Sequence, residues 1–314
     1  MTSGSRLVGR RRRGASVGVA LVGACAMVAA CGKPSAGTNR LAALPLDSGS
    51  VTVSGLSAGA AMATQFHVAH SGLVNGAALV AGVPYYCSAG SIRNSLGRCM
   101  KANEPIPTAE LIELSSRLAL DGSIDPITGL ADDRVWIFRG ALDPYVQKPV
   151  ADAVEVYYQA LVNPANIARV ELDRAGHTFP SARADAKPCD VTEPPFVGRC
   201  DFDGAGTLLG HMYGKLGEGR APEDGELREF DQKPYAKATG SAGLAERGLL
   251  FVPKSCNGGD ERKCRLHVVF HGCKQGASLV GREFVLGSGY LEAAAGNDIV
   301  LLFPQIEASY RPLN

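Results

Sequence analysis

A short apolar run of β-type residues breaks into a Gly-x-Ser-x-Gly pattern and is followed at once by a helix-like run. Residues 51–56 form the apolar run, and residues 60–66 form the helix-like run. At a strand-to-helix turn of this kind the serine is strained, and glycines two positions before and after it let the backbones pass closely. The pattern therefore predicts Ser57 as an exposed nucleophile, with the Ala58 amide facing a developing oxyanion at the start of the helix.

The length and composition predict one catalytic domain. The chain has 314 residues, of which 46% are hydrophobic. This is enough to bury the core of one α/β domain of about 250 residues and to leave a removable leader. The formal net charge of +1 provides no field that would attract nucleic acid or a cationic substrate. We therefore expect a neutral substrate and no nucleic-acid partner.

The first residues are typical of a targeting segment. Arg6 and the arginines at 10–13 precede an apolar run, residues 15–30, that is too short to span a bilayer comfortably. We predict a signal peptide over residues 1–31 and export to the periplasm or the medium. The residues around Cys31 look like a lipobox, in which an acylated Cys31 would become a membrane tether; ordinary cleavage nearby is the alternative. The arginines also permit a twin-arginine route.

The remainder of the chain divides into a short tether and a folded region. Residues 32–43 include Pro, Ser, Gly, Thr and Asn and are predicted to be the tether. Residues 44–314 are predicted to be a single catalytic domain, because no internal repeat or low-complexity tract interrupts them.

Cysteine usage predicts disulfides. The chain has nine cysteines, and setting aside Cys25 and Cys31 of the leader leaves an odd number, seven. In an exported protein these indicate disulfides, although sequence cannot fix their connectivity. We predict local pairs, with Cys273 left over: Cys87 with Cys99, Cys189 with Cys200, and Cys256 with Cys264. A zinc site is less favoured, because no Cys-x-x-Cys spacing and no accompanying histidine pair are present.

Strand-like and helix-like runs alternate after the turn at Ser57. Several of the strand candidates are continuous Val, Ile, Leu and Phe runs, as expected when helices cover both faces of a sheet. The fold class is therefore α/β, with a mostly parallel central sheet. The predicted strands are residues 76–82, 134–140, 167–173, 248–254, 266–272 and 298–305, and the predicted helices are 108–120, 150–161, 206–216 and 288–295.

A nucleophilic serine needs a base and an acid that orients the base, and loops at the carboxyl ends of later strands can supply both. The predicted strand at 134–140 ends just before Asp143, which is the best candidate acid. The next strand, 167–173, ends just before the Gly-led loop that carries His177, the best candidate base. The chain order Ser, Asp, His agrees with this kind of triad.

Other acids and histidines have simpler explanations. Asp132 and Asp133 precede their strand and would lie at the wrong edge of the sheet, while Asp125 lies in an Ile-Asp-Pro turn. Four histidines are predicted to be structural or solvated from their place in a helix or strand: His67, His70, His211 and His267. Trp136, in strand context, is predicted to belong to the core.

The strand expected to supply the second oxyanion amide is out of order. In the usual arrangement it precedes the nucleophile, but nothing between Leu44 and Val51 could provide it. Residues 266–275, Leu-His-Val-Val-Phe-His-Gly-Cys-Lys-Gln, look like such a strand and follow His177 instead. This order predicts a circularly permuted chain.

Taken together, these segments resemble the circularly permuted poly(3-hydroxybutyrate) depolymerases, both the fungal single-domain type and its bacterial relatives. The resemblance covers nearly the whole mature chain. It rests on Gly-Leu-Ser-Ala-Gly around Ser57, Gly-Val-Pro-Tyr-Tyr-Cys ending at Cys87, Phe-Arg-Gly before Asp143, Gly-His-Thr-Phe-Pro at 176–180, Asp-Gly-Ala-Gly at 203–206, Cys-Arg-Leu-His at 264–267, His-Gly-Cys-Lys-Gln at 271–275 and Phe-Pro-Gln at 303–305.

The resemblance implies an α/β-hydrolase fold and a serine esterase. Ser57 would be the nucleophile, His177 the general base and Asp143 its orienter, with the amides of Ala58 and Cys273 as the oxyanion hole. The implied substrate is a polyester or oligomeric hydroxyalkanoate, and no metal or organic cofactor is implied.

One departure concerns the end of the chain. Members of the family continue past the Pro-Gln strand into an Asn-Pro-x-Gly-Cys-Trp-Asp-Trp segment, whereas this sequence ends at Asn314. We therefore expect a truncated C-terminus, and the loss of a partner cysteine would explain the odd Cys273.

Two rival functions remain open at this point. A feruloyl, acetyl or short-chain esterase would use the same triad, since the triad does not identify the acid that is released. An inactive exported envelope protein is the rival of a different class, and the expected truncation makes it plausible.

Overall fold

In the part of the chain that the structure describes, the central sheet has eight strands, of which six neighbouring ones pair parallel to each other. Its spatial order is β4-β3-β2-β1-β10-β11-β9-β8, and only the β11–β9 and β9–β8 pairs are antiparallel. The strands are β1 (Leu46–Leu56), β2 (Val74–Val80), β3 (Arg134–Gly140), β4 (Ile167–Leu172), β8 (Gly225–Asp231), β9 (Arg247–Pro253), β10 (Cys264–Phe270) and β11 (Ile299–Phe303). A second, three-stranded sheet contains β5 (Phe179–Ser181), β6 (Lys187–Pro188) and β7 (Val197–Arg199).

Nine α-helices accompany these strands in the part of the chain that the computed structural model describes, residues 40–236, 243–257 and 263–307. They are α1 (Ala58–Ala69), α2 (Ile92–Leu96), α3 (Arg98–Lys101), α4 (Thr108–Leu120), α5 (Lys148–Gln159), α6 (Gly204–Tyr213), α7 (Ala277–Val280), α8 (Glu283–Gly287) and α9 (Tyr290–Ala295). No helix in the described ranges is long and apolar enough to cross a membrane. The predicted signal peptide, Cys31 and the last residues, 308–314, lie outside the described ranges.

The α/β class and the mostly parallel sheet are confirmed. The strand at 134–140 and the helix at 108–120 have the predicted bounds, and the other predicted elements are shifted by a few residues. Strand β8 was not predicted, because its sequence, Gly-Glu-Leu-Arg-Glu-Phe-Asp, is mostly charged and it lies at the sheet edge. The three-stranded sheet was also missed, since strands of two or three residues carry no visible period.

Strands β8 to β11 extend the sheet from β1 on the side opposite to β2. Strand β10 lies directly beside β1 and parallel to it, with Val53 opposite Val268 and Gly55 opposite Phe270. Strand β10, whose counterpart usually precedes the nucleophile strand in the sequence, is therefore the neighbour of β1 in space, although it comes later in this chain. That the order arose by circular permutation stays a prediction.

The core lies on both faces of the sheet. One cluster joins β1, β2 and β3 to helices α1 and α5, with Val53, Ile137 and Tyr157 at its centre. A second cluster packs α6 and α9 on the opposite face and includes Trp136, which is 1% exposed, and a third, smaller cluster lies around β8 and β9. Trp136 therefore belongs to the core, as predicted.

All three predicted disulfides are present. They join Cys87 to Cys99, Cys189 to Cys200 and Cys256 to Cys264, and Cys273 is free and exposed. The pairs are 12, 11 and 8 residues apart in sequence. Closing loops of this size stabilises a fold by roughly 2–3 kcal/mol each in the chain-entropy description.

Two glycines explain why α1 can follow β1 so abruptly. A Cβ atom on Gly55 would lie 2.3 Å from the carbonyl carbon of Gly59, and one on Gly59 would lie 2.1 Å from the carbonyl oxygen of Phe270. Atoms that close would overlap, and the obstacles are backbone atoms, which cannot rotate away. The pattern Gly-x-Ser-x-Gly is therefore required by the packing of α1 against β1 and β10.

We expect Gly59→Ala to destabilise the protein strongly, because the new methyl group would push α1 away from β10. The free energy of unfolding should fall by roughly 3 kcal/mol or more, as for other overpacked core sites. Denaturant unfolding measures it.

The matched control for this prediction is Gly210→Ala in α6. A Cβ atom at Gly210 would meet nothing within 4 Å. Alanine there should stabilise the helix by about 0.5–1 kcal/mol. If Gly59→Ala were as harmless as Gly210→Ala, the close approach between α1 and β10 would not be a constraint.

Candidate active site

Ser57 stands at the junction between β1 and α1. Its backbone has φ 58° and ψ −118°, a left-handed conformation that residues with a Cβ rarely adopt. Its amide donates a hydrogen bond to the carbonyl of Val80, at the end of β2, over 2.9 Å. Strain of this kind persists only where the surroundings enforce it, and it concentrates at functional sites.

Asp143 lies in the tight loop that follows β3. Its Oδ1 atom accepts hydrogen bonds from the amides of Tyr145 and Val146, at 2.7 and 2.9 Å. Its Oδ2 atom lies 2.7 Å from Nδ1 of His177. The carboxylate is buried, so both of its oxygens are fixed by these partners. The loop thus aims one carboxylate oxygen at the His177 ring.

His177 lies on the loop after β4 and is held from several sides. Its own amide donates to Oγ1 of Thr192 at 2.9 Å, and the Gly176 amide donates to the carbonyl of Cys189 at 2.9 Å. The rings of Tyr145 and Phe196 meet the imidazole edge to face, with centroids 5.2 and 6.2 Å away. The imidazole has therefore little freedom to turn away from Asp143.

The bond to Asp143 fixes which nitrogen of neutral His177 carries the proton. An ionised carboxylate can only accept, so Nδ1 must donate to it. Nε2 is then left as an acceptor, which is the form that a general base needs.

The two loops can come together because Gly140 has no side chain. A Cβ atom on Gly140 would lie 2.3 Å from the carbonyl oxygen of Ala175 and 2.4 Å from that of Gly176. The Asp143 loop and the His177 loop are therefore in backbone contact. This explains the glycine that ends β3.

Ser57 and His177 both line a single cleft of about 790 Å³. A cleft of this volume is in the range of ordinary ligand sites. Its walls are mostly apolar, with Met62, Leu96 and Tyr145 among the side chains that line it. Among the described residues that line it, Lys274 is the one side chain with a fixed charge. The cleft therefore suits a neutral, largely apolar ligand.

Ala58 and Cys273 also line this cleft. Ala58 is the first residue of α1, where an amide has no partner within the helix, and Cys273 follows the end of β10. The Gly272 loop lies against the turn at Ser57, since a Cβ atom on Gly272 would lie 2.8 Å from the carbonyl oxygen of Leu56. The structure thus brings together the five residues that the sequence singled out: Ser57, Asp143, His177, Ala58 and Cys273.

Two residues that brace the Cys273 loop were not assigned a role from the sequence. Gln275 accepts a hydrogen bond from the Gly272 amide at 2.7 Å and donates one to the carbonyl of Pro195 at 2.9 Å. His271 lies within hydrogen-bond distance of the Gly272 carbonyl and accepts from the amide of Ile306. Burial lowers the pKa of His271, partly offset by the bond to Gly272, so the ring stays neutral and can accept. Their signal in the sequence was the His-Gly-Cys-Lys-Gln run.

A second buried histidine–aspartate pair lies away from the cleft. Nε2 of His67 lies 2.9 Å from Asp133, and Nδ1 lies 3.1 Å from the hydroxyl of Tyr158. This pair ties α1 to β3 and α5, and none of its members lines the cleft. The interpretation of His67 as structural agrees with this placement.

Comparison with known proteins places the chain in a family. No protein-family profile matches it. It is 38% identical over 289 residues to a poly(3-hydroxybutyrate) depolymerase of Delftia acidovorans, with 91% of this chain aligned, and it spans 58% of the length of that relative. It is 32% identical over 292 residues to a polyhydroxybutyrate depolymerase of Talaromyces funiculosus, covering 91% of this chain and 83% of that one.

Solved structures give the same assignment. The crystal structure of a PHB depolymerase from Penicillium funiculosum superposes with a TM-score of 0.79 at 30% identity, over 86% of this chain and 84% of that one. A serine-to-alanine variant of PHB depolymerase, complexed with an R3HB trimer, matches with the same values. Both the sequence and the fold therefore show that the chain belongs to the polyhydroxybutyrate depolymerase family.

Proposed function

We propose that this protein is a serine esterase that hydrolyses poly(3-hydroxybutyrate) or a related polyhydroxyalkanoate. The observation that carries the proposal is the hydrogen-bonded pair of Asp143 and His177 in the same apolar cleft as the strained Ser57. Two relatives named as depolymerases of this polymer, and a related structure complexed with an R3HB trimer, support the choice of substrate.

The first half of the reaction forms an acyl-enzyme. Ser57 Oγ attacks the ester carbonyl while Nε2 of His177 takes the serine proton. Asp143 stabilises the imidazolium that results, because its Oδ2 atom already accepts the Nδ1 proton. The imidazolium then gives its proton to the departing alcohol oxygen, and the bond between that oxygen and the acyl carbon breaks.

The second half releases the acid. Water attacks the acyl carbon while His177 takes a proton from it, and the resulting imidazolium gives that proton to Ser57 Oγ as the bond between the acyl carbon and Oγ breaks. In both halves the negative oxygen would accept hydrogen bonds from the amides of Ala58 and Cys273. A donor of this kind contributes on the order of 3 kcal/mol to the transition state.

The cleft fits a neutral polyester better than a charged ligand. The ester repeat carries no charge, and the walls next to Ser57 are mostly apolar.

One wall of the cleft is the segment that contains α2 and α3, which the Cys87–Cys99 disulfide closes into a loop. The Met100 carbonyl accepts from the Gln147 amide at 2.9 Å, which joins this wall to the region after Asp143. The substrate wall and the catalytic loop are therefore braced against each other.

The three disulfides support an exported protein, because such bonds persist in oxidising compartments. We propose that the protein works outside the cytoplasm, in the periplasm or the medium. Anchoring through a lipid on Cys31 is part of the same proposal and rests on the sequence around that residue alone.

The substrate is tested by release of 3-hydroxybutyrate and its oligomers from amorphous poly(3-hydroxybutyrate). We expect release by the wild type and at least about a thousandfold slower release by Ser57→Ala, because the nucleophile is lost. Circular dichroism confirms that the variant is folded. Release that does not depend on Ser57 would contradict the proposal. Serine-dependent cleavage of feruloyl or acetyl esters without polymer cleavage would show that the protein is an esterase of a different specificity.

The orienting role of Asp143 is tested by Asp143→Asn. The amide oxygen of asparagine can still accept from the Tyr145 and Val146 amides, so the loop should keep its shape. Its NH2 group would face Nδ1 of His177 as a donor, which forces the proton onto Nε2 and removes the base. We expect kcat to fall by about 10⁴-fold, as in other triads.

The control for this prediction is Asp133→Asn, which alters the buried histidine–aspartate pair away from the cleft. It should lower stability while keeping kcat within a few-fold of the wild type. Similar effects of both substitutions on kcat would argue against a special role for Asp143.

A further inference from the structure

A chain of hydrogen-bonded side chains crosses the core directly beneath the turn at Ser57. It joins strands β1 and β10 to helices α6 and α9, and none of its members lines the cleft. Its links are Tyr290 Oη to Ser54 Oγ at 2.6 Å, Ser54 Oγ to His267 Nε2 at 2.7 Å, His267 Nδ1 to Thr52 Oγ1 at 2.7 Å, Thr52 Oγ1 to Tyr213 Oη at 2.7 Å, and Tyr213 Oη to the carbonyl of Leu266 at 2.8 Å.

The hydrogen bonds and the burial of His267 together set the direction of the protons in this chain. Tyr213 has one hydroxyl proton, and the carbonyl of Leu266 can only accept, so Tyr213 donates to it. Thr52 must then donate to Tyr213, and it must accept from Nδ1 of His267. His267 therefore carries a proton on Nδ1, and because the ring is fully buried and none of its hydrogen-bond partners is acidic, it is neutral.

The other half of the chain follows from that tautomer. With its proton on Nδ1, His267 accepts at Nε2 from the hydroxyl of Ser54. Ser54 in turn accepts from Tyr290. Each of these polar groups thus has a partner, although Ser54, His267 and Tyr290 have no exposed surface. Burial lowers the pKa of His267 to about 3, which agrees with a ring that stays neutral.

The chain holds the strand of the nucleophile to the strand of the second oxyanion amide. In the sheet, Thr52 pairs with His267 and Ser54 pairs with Val269, so one imidazole on β10 bonds two alternate residues of β1. Ser57 is three residues beyond Ser54, and Cys273 is six residues beyond His267. A slip of one residue would turn these side chains to the other face and leave buried polar groups without partners.

We propose that His267 is a positioning residue for catalysis, which holds the Ser57 turn and the Cys273 amide at the separation that the oxyanion requires. The inference rests on the proposed esterase function. A positioning role differs from a purely structural one in one testable respect. A variant that regains stability without the hydrogen-bonded chain should still have a low catalytic rate.

Three variants separate the two roles. His267→Leu removes the centre of the chain and leaves Ser54 without its acceptor. An apolar variant, which combines Thr52→Val, Ser54→Ala, His267→Leu and Tyr290→Phe, removes all the unpaired groups together and should therefore recover stability. The control is Ser115→Ala, which breaks another buried serine–tyrosine bond, the 2.6 Å contact with Tyr157 between α4 and α5.

The rate and the affinity for a transition-state analogue are the readouts. For p-nitrophenyl butyrate, we expect His267→Leu and the apolar variant to lose about ten- to a hundredfold in kcat, with KM changed less than threefold, since small misplacements have effects of this size. Binding of an alkyl boronic acid, which becomes tetrahedral on Ser57, should weaken in parallel with kcat. Ser115→Ala should lose stability and keep its kcat. Recovery of both stability and kcat in the apolar variant would overturn the proposal, as would a folded His267→Leu with the wild-type kcat.

Two further readouts distinguish failure of this inference from failure of the proposed function. The ¹⁵N spectrum of the His267 ring should show protonated Nδ1 and unprotonated Nε2 from pH 8 to pH 5, and a charged ring or the other tautomer would overturn the proton order.

The second readout is the rate at which a fluorophosphonate labels Ser57, which can be measured without any polyester. If the wild type is labelled but cleaves no polymer, the substrate assignment fails, and the labelling rates of the variants decide the role of His267. A folded wild type whose Ser57 does not react would overturn both.

Discussion

The close approach of backbones at the carboxyl ends of the parallel strands is the constraint on which the site depends. Gly59 lets α1 pass against the carbonyl of Phe270, and Gly140 lets the Asp143 loop touch the His177 loop. Gly272 brings the loop that carries Cys273 against Leu56. Each contact is between main-chain atoms, so none can be relieved by a side-chain rotation. The candidate catalytic residues are thus positioned by backbone packing more than by flexible side-chain contacts.

Part of this arrangement could be predicted from the sequence. Ser57, Asp143 and His177 each follow an apolar β run, and the carboxyl ends of parallel strands meet at one edge of a sheet. That rule was enough to bring the three residues together without knowledge of any distance. The local disulfides were predictable for a similar reason, because each joins neighbouring cysteines across a short loop.

What the sequence could not show depends on pairing between distant segments. In the sequence, His267 looks like an ordinary strand residue. Its bond to Thr52, which is 215 residues away in the chain, is visible only once β1 and β10 are known to be neighbours. The cleft wall formed by α2 and α3 was missed because helices of five and four residues are too short to show a period. Gln275 braces the Cys273 loop through the carbonyl of Pro195, a contact that spans 80 residues.

The site therefore has a buried polar network below Ser57 and a mostly apolar cleft above it. Beneath Ser57, the buried side chains between β1 and β10 have their hydrogen bonds satisfied, and above it the cleft has mostly apolar walls. Charge that develops on an ester oxygen would meet fixed amide dipoles in a setting with little competing water. A neutral ligand, such as a polyester chain, loses less on entering such a cleft than a charged one does.

If the fold activates Ser57 as a nucleophile, the serine should react selectively with a reagent that labels activated serines. The folded protein is treated with a fluorophosphonate, and the adduct is located by mass spectrometry of its peptides. We predict a single adduct on Ser57, absent from protein that was unfolded before treatment. A folded protein that forms no adduct, or forms it on another residue, would show that the fold does not activate Ser57.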